Sequence, residues 1–339
     1  MKAPLFLLFL AIISCVHQGR KHSSADGVEI VNCLSEISAE VVAVPLETNE
    51  LCRLGEVRQV KGDGRDLFVW SENGIYRFDR TGKFRNRFSI DAGRRISDFA
   101  LNPGQQQVMI LDSAQQLHCF THDGQTLFRM DLGTDAPWQT ILDIACHDSS
   151  LWIAIERLTP DRRFEKRLVR IDFSGQVEED YKLTEVDLGR FSLSCNYSPE
   201  LSVIGNRVYV YAPFSSKETI LRDTLHLLSG DMLPPAGESG ALQVMPVRTN
   251  GRFLFASYRE NVSEKENYLF LYDRKKDKAY PLHGFMDDFY QTGPVSNLQA
   301  LDMRSCEYGY FKSGKEVARA FPERSETANP VIFLLKLHA

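Results

Sequence analysis

The chain has 339 residues, 43% of them hydrophobic and 25% charged, with a formal net charge of −5. That composition excludes an intrinsically disordered chain, and the lack of a basic excess removes the electrostatic footprint of a nucleic-acid binder. The length admits two domains or one large β domain. No linker rich in Pro, Gly or Ser divides the chain beyond its N-terminal segment, so one domain is expected.

Lys2 precedes an apolar run from Leu5 to Ile13, followed by Ser14 and Cys15. About nine apolar residues make the core of a signal peptide but cannot cross a hydrocarbon layer of roughly 30 Å, which takes about 20. The stretch Ile12-Ile13-Ser14-Cys15 resembles a bacterial lipobox, which implies cleavage before Cys15 and acylation of its thiol and amine. A secretory signal cut elsewhere and a short anchor are the alternatives. "VHQGRKHSSADGV", residues 16–28, is small and polar and reads as a tether. The expected division is a signal peptide over 1–14, a flexible tether over 15–38 and a folded domain over 39–339.

Three segments then repeat: "IYRFDRTGKFRNRF" from Ile75, "LHCFTHDGQTLFRM" from Leu117 and "LVRIDFSGQVEEDY" from Leu168. Each alternates apolar and polar residues, turns on a polar stretch ending in Gly82, Gly124 or Gly175, and resumes, as a β-hairpin does. Weaker copies follow at Leu225–Pro235 and Leu269–Leu282. A further strand pair precedes each hairpin, with turns at Asn102-Pro103-Gly104, His147-Asp148-Ser149, Gly205-Asn206 and Asn250-Gly251. The units begin near Gly55, Ile96, Ile141, Leu201, Leu242 and Leu298, a spacing in the range of propeller blades. The last unit ends on its third strand, "NPVIFLLKLHA", and "AEVVAVPLE" (Ala39 to Glu47) supplies the missing one. Pairing the termini closes the ring and removes an open edge. The expected fold is all-β: a six-bladed β-propeller of four-stranded antiparallel blades, with the N-terminal strand closing the last blade.

The lipobox, "VVAVPLET", "LGEVRQVKGDGRDLFVW" and the final "NPVIFLLKL" together resemble the six-bladed β-propeller lipoproteins of gut Gram-negative bacteria, relatives of the NHL and TolB-like propellers. The resemblance covers nearly the whole mature chain and implies a fold and an envelope location. Members carry a Gly-rich loop before the second blade; here that place reads "DAGRRISDF", Asp91 to Phe99, and departs from it.

Catalytic and metal motifs are sparse. None of the eight histidines (17, 22, 118, 122, 147, 226, 283, 338) forms an HxH or HExxH pair, and neither a GxSxG elbow nor a Walker loop is present. "KGDGRD", Lys61 to Asp66, places two carboxylates around glycines but lacks the further oxygens of a calcium loop and reads as a tight turn. Asp287-Asp288 and Glu178-Glu179 read as solvated loop charges. No metal or cofactor is expected from local spacing. Cys119 and Cys146 fall inside strand patterns and read as small buried hydrophobes, whereas Cys33 and Cys52 flank the first strand and are the candidate disulfide. The sequon Asn261-Val262-Ser263 carries no weight in a bacterial envelope.

Loops at one propeller face are the expected contact surface. They hold Arg94, Arg95, Trp138, Phe191, Tyr197, Phe289 and Tyr290, residue types that anchor binding surfaces and equally plug the end of a core. The insertions 157–167, 259–267 and 313–330 are further candidates. Two functions remain open: a non-catalytic, monomeric lipoprotein binding a protein or glycan partner, and a propeller enzyme acting on a carbohydrate or lactone. Val16 after the cysteine and the lack of an acidic run in "VHQGRK" resemble outer-membrane lipoproteins that face the periplasm.

Overall fold

In the computed structural model the described residues are 32–133, 139–161, 163–187, 200–204, 207–211, 225–227, 243–249, 252–259, 268–281, 284–295, 298–302, 304–305 and 307–338. Among them the architecture is all-β, its one α-helix being the single turn Gly314–Val317.

The first sheet runs Val57–Gly62, Asp66–Ser71, Gly74–Asp79 and Phe84–Phe88, each strand hydrogen-bonded to the next. The second (Ile96–Asn102, Gln107–Asp112, Gln116–Thr121, Thr126–Asp131) and third (Gln139–His147, Ser150–Leu158, Arg163–Asp172, Val177–Asp187) repeat this meander. Three strands of a fourth are described: Glu200–Ile204, Arg207–Tyr211 and Leu225–Leu227. The fifth consists of Gln243–Thr249, Phe253–Arg259, Tyr268–Asp273 and Lys278–Pro281. In the sixth, Gln299–Asp302, Glu307–Lys312 and Val331–Leu337 are joined by Ser38–Pro45 from the other end of the chain.

Short turns set these meanders. The third-to-fourth-strand turns carry Gly82, Gly124 and Gly175 at φ of +83°, +86° and +89°, where a side chain would be strained. In sheets one and three the residue three before the glycine is an aspartate that accepts the turn's amides: Thr81 and Lys83 N–H donate to Asp79 Oδ1, and Ser174 and Gln176 N–H to Asp172 Oδ1. Sheet five keeps the aspartate, Asp273, in a turn one residue longer, with Asp277 (φ +51°) four positions on as its left-handed residue.

Side chains alternate across each strand, and the inner strands are buried on both faces. Phe68 and Ile75 of sheet one pack against Phe99, Ile110 and Phe120 of sheet two. Met109, Leu117 and Cys119 of sheet two meet Ile144, Leu151 and Ile153 of sheet three, and Trp152 and Ala154 meet Val208 and Val210 of sheet four. Phe255 and Leu271 of sheet five pack on Tyr308, Phe333 and Leu335 of sheet six. The last interface joins the ends of the series: Val44, Leu301 and Ile332 of sheet six pack on Val60, Val69 and Tyr76 of sheet one. Double-sided burial explains near-continuous apolar runs such as "LFVW" and "VMILD".

Several expectations change. Residues 32–38 are not tether: Asn32–Cys33 pairs in parallel with Phe285–Asp287, which pairs with Gly293–Val295, and Leu34 and Ile37 are fully buried. Apolar side chains that close the end of sheet six account for this. Residues 157–161 and 163–167 belong to a lengthened hairpin rather than a loop insertion, because the pairing of sheet three continues out to Leu158 and Phe164. Residues 313–330 are also ordered, starting with a capped turn in which Glu316 N–H donates to Ser313 Oγ and Ser313 N–H to Glu316 Oε2. Residues 260–267 lie outside the described residues.

Candidate binding site

The first strands of sheets one, two and three line up side by side, and each carries a β-bulge just before Gln59, Asp98 or Asp143. A bulge re-aims the following side chain, here along the row toward the next sheet. Asp98 Oδ2 accepts Ile144 N–H at 3.0 Å, and Asp143 Oδ2 accepts Leu201 N–H at 2.5 Å. Gln299 Oε1 accepts Val60 N–H at 3.4 Å and links sheet six to sheet one, although its strand bulges after it, between Ala300 and Asp302.

Lys61 joins this row. Its ammonium donates to Phe99 O, lies 4.4 Å from the Phe99 ring centre and stands 3.5 Å from Asp98 Oδ1. Asp143 is partly buried, between Asp98 and the Leu201 amide. Burial first, and the neighbouring Asp98 carboxylate second, therefore hold the Asp143 carboxyl well above the ordinary carboxylate range. The protonated group hydrogen-bonds Asp98. Two carboxyls sharing a proton are acid–base machinery in some enzymes. Here their oxygens are engaged by the amides of Phe99, Ile144 and Leu201, which is the work of a structural clamp.

This clamp has a pH signature. A carboxyl whose folded pKa exceeds its unfolded value contributes stability that is fully present below the unfolded pKa, near 3.8, and is lost as pH rises through the folded value. In Asp143→Asn an amide keeps an acceptor for Leu201 and a donor for Asp98 without titrating. We expect urea midpoints of the wild-type chain to fall between roughly pH 4 and pH 7.5 by more than those of the variant. Equal slopes would mean that Asp143 titrates as a surface carboxylate.

At the ends of these strands a cleft of about 510 Å³ opens between the first-to-second-strand turns of sheets two, three and six. Asn102, Gly104, Gln105, His147, Asp148 and Arg304 line it. Asn102 Nδ2 donates to Asp148 O at 2.9 Å and ties two of the turns together. Asp148 itself sits at φ +54°, a conformation Asp tolerates. Arg304 crosses from sheet six to donate to Cys146 O at 2.8 Å, and no carboxylate pairs with it among the described residues. The cleft thus offers a guanidinium and amides, donors suited to a polyhydroxyl or anionic ligand, beside the paired His147 imidazole and Asp148 carboxylate, 3.4 Å apart.

The sequence-derived candidates fare differently. Arg94 is anchored: its Nη1 lies 2.7 Å from the buried Asp112 carboxylate, which also meets His118 Nε2 at 3.1 Å. Arg95 is exposed, and among the described residues only its backbone is bonded, to Ser113. Tyr290 is a plug rather than a rim anchor. Its hydroxyl accepts Ala43 N–H and donates to Val41 O, both at 3.2 Å, and its ring packs on Phe321 and Phe333. Asp287 is not a solvated charge, since it is buried and accepts the amides of Phe289 and Tyr290. Trp138, Tyr197, Phe191 and Cys15 lie outside the described residues.

Cys33 and Cys52 are both free thiols, which corrects the expected bridge. Cys33 belongs to the small strand beside Phe285–Asp287, whereas Cys52 is buried with Val60 and Val69 and donates to Glu47 O at 3.2 Å. Cys119 and Cys146 are buried as expected, and burial pushes the Cys119 thiol up to about 12.

Sequence reasoning marks Asn102 and His147 only as turn residues and does not single out Arg304. Nothing local marks three turns, spread over some 200 positions, as neighbours. It also misses a cluster that the fold builds between sheets one and two from Asp63, Asp66 and His122.

Among comparisons with known proteins, the family model described as Domain of unknown function (DUF4934) matches residues 27–336. No curated protein matches the chain. The solved structures it resembles include that of a Bacteroides fragilis protein described as exported, at 15% identity and TM-score 0.60, covering 92% of this chain and 98% of that one. A protein of unknown function from Bacteroides caccae aligns at 11% identity and TM-score 0.43, over 73% of this chain and 82% of that one. The WD40 domain of Neurospora crassa Pan2 aligns at 8% identity and TM-score 0.41, over 84% and 76%. At these identities the likeness to the first of them speaks for the fold alone.

Proposed function

The chain belongs to the DUF4934 family, and on that premise we propose that it is a non-catalytic envelope lipoprotein that binds a protein or glycan partner. In this reading the six sheets are the blades of one propeller of the kind carried by lipoproteins of gut Gram-negative bacteria. Cys15 carries the lipid, and the domain is monomeric and faces the periplasm from the outer membrane. The packing of sheet six on sheet one through Val44, Leu301 and Ile332 supports the propeller. The exported Bacteroides neighbour and the lipobox-like Ile12-Ile13-Ser14-Cys15 support the location.

The cleft at Arg304 is the observation that carries binding. Its guanidinium is held in place by one hydrogen bond, to Cys146 O, and no carboxylate neutralises it among the described residues. The reading as a carbohydrate or lactone enzyme finds less support, because Asp98 and Asp143 are engaged by backbone amides.

The test is to purify the acylated protein from its native envelope and identify what accompanies it, with a glycan panel run in parallel. A stoichiometric protein, or a glycan bound in the panel, that is lost in Arg304→Ala is the expected result. A chain that emerges alone and binds nothing, or an unaffected Arg304→Ala variant, overturns the assignment of the cleft. Cys15→Ala is expected to move the protein from the membrane to the soluble fraction; unchanged fractionation removes the lipid anchor from the proposal.

A further inference from the structure

We propose that Asp63, Asp66 and His122 form a binding site for a divalent transition-metal ion of the zinc class, which clamps sheet one to sheet two. The three residues each present one ligand atom, and these atoms lie within 4.8 Å of one another. Two ligands about 2.1 Å from a single ion stand at most about 4.2 Å apart, so the cluster needs a closure of only a few tenths of an ångström.

The turn between the first two strands of sheet one delivers both carboxylates already oriented. Asp63 Oδ1 accepts the amides of Arg65 (2.9 Å) and Asp66 (2.7 Å), which leaves Oδ2 aimed at His122 Nδ1, 3.6 Å away. Asp66 is held through Oδ2 by Arg77 Nε (3.0 Å) and Nη2 (2.8 Å). Arg77 also donates to His122 O at 2.9 Å and to Asp123 Oδ1 at 3.1 Å, so it locks the sheet-two turn against the sheet-one turn.

His122 is the observation that asks for a ligand. It is 5% exposed and packs on Phe68, yet among the described residues neither ring nitrogen makes a hydrogen bond: Nδ1 stops short of Asp63, and Nε2 is buried without a partner. The Nδ1 lone pair of this buried ring faces the Asp63 carboxylate, and an ion at Nδ1 would take up that position between the two groups. Two carboxylates against one guanidinium leave the cluster net negative before any ion enters. The imidazole selects zinc-like ions over calcium or magnesium, which take oxygen ligands, and three protein ligands leave the fourth position to water.

The experiment uses the chelator-treated, full-length protein with each metal alone. Isothermal titration with Zn²⁺ should give one site per chain, and thermal unfolding should shift up by several degrees with Zn²⁺ and not with Ca²⁺. His122→Gln and Asp63→Asn should each weaken zinc binding tenfold or more and abolish the shift. Asp63→Asn keeps an oxygen for the turn amides, so it remains informative if His122→Gln folds poorly. Absence of a stoichiometric zinc site in the wild-type chain, or undiminished binding in the variants, overturns the proposal. A calcium shift as large as that of zinc overturns the assigned metal class.

Discussion

Replacing Gly82 by alanine is expected to destabilise the protein by several kcal/mol, more than the same change at any other positive-φ glycine described. Gly82 closes the last turn of sheet one at φ +83°, and its backbone lies against the strand Ser38–Pro45 that completes sheet six. A Cβ there would stand 2.1 Å from Pro45 O and 2.9 Å from Pro45 C, separations no relaxed structure holds. The left-handed conformation alone costs a non-glycine residue about 1–2 kcal/mol. Relieving the clash must also displace the strand, along with the bond from Glu47 N–H to Gly82 O (2.8 Å). Gly64 provides the internal reference. Its φ is +85°, but a Cβ there meets nothing within 4 Å, so Gly64→Ala carries only the backbone strain. Gly175→Ala, which meets only the flexible Met130 thioether at 3.3 Å, should fall near Gly64→Ala. Urea midpoints of the three variants give the order directly. A Gly82→Ala variant no weaker than Gly64→Ala would mean that the N-terminal strand does not bear on sheet one.

Asn329→Ala is the second large effect, expected at about 3–5 kcal/mol from two or three buried groups losing their partners at about 1–3 kcal/mol each. Asn329 is 2% exposed and joins two distant segments. Its Nδ2 donates to Glu47 O (2.6 Å) and Cys52 O (2.7 Å), and its Oδ1 accepts Leu54 N–H (2.9 Å). Arg324 reinforces the same junction by donating to Leu46 O and Asn329 O, both at 2.8 Å. The chain leaving the closing strand is thereby stapled to the chain entering the last one. Domain stabilities are on the order of 5–15 kcal/mol, so the variant should lose a large share of its stability. Ser325→Ala is the control, because that exposed hydroxyl meets only Thr327 and should cost within about 0.5 kcal/mol. Equal midpoints for Asn329→Ala and Ser325→Ala would show that the junction is held elsewhere.

Both predictions concern the meeting of the two chain ends, and the amino-acid pattern alone reveals part of that meeting. The last repeat is one strand short and "AEVVAVPLE" is free to complete it; in the fold its register with Val331–Leu337 pairs Val41 with Leu335 and Val44 with Ile332. The hairpin glycines are equally legible, because left-handed turns restrict the residue at one position and so leave a mark at a fixed spacing. Residues 32–37 read as tether for a physical reason: a two-residue strand and one 3-10 turn are too short to show a period.

The site residues are harder to read. Arg94 and Tyr290 match the residue types that anchor partners, yet the fold commits them to Asp112 and to the backbone of Val41 and Ala43. Whether a polar side chain is free or engaged depends on atoms far along the chain, which no local pattern contains. Alternation, turn chemistry and repeat length are nearest-neighbour properties, and from them the sequence by itself determined an all-β chain of repeated four-stranded meanders whose ends pair. Only the tertiary structure decided that Arg304 reaches Cys146 from 158 positions away. It alone brought His122 to Asp63 and Asp66 and set Asp143 against Asp98, where burial and the neighbouring carboxylate raise its pKa. Each of those depends on how one sheet packs against another, and the distances and burial that packing imposes are what assign a side chain its chemistry.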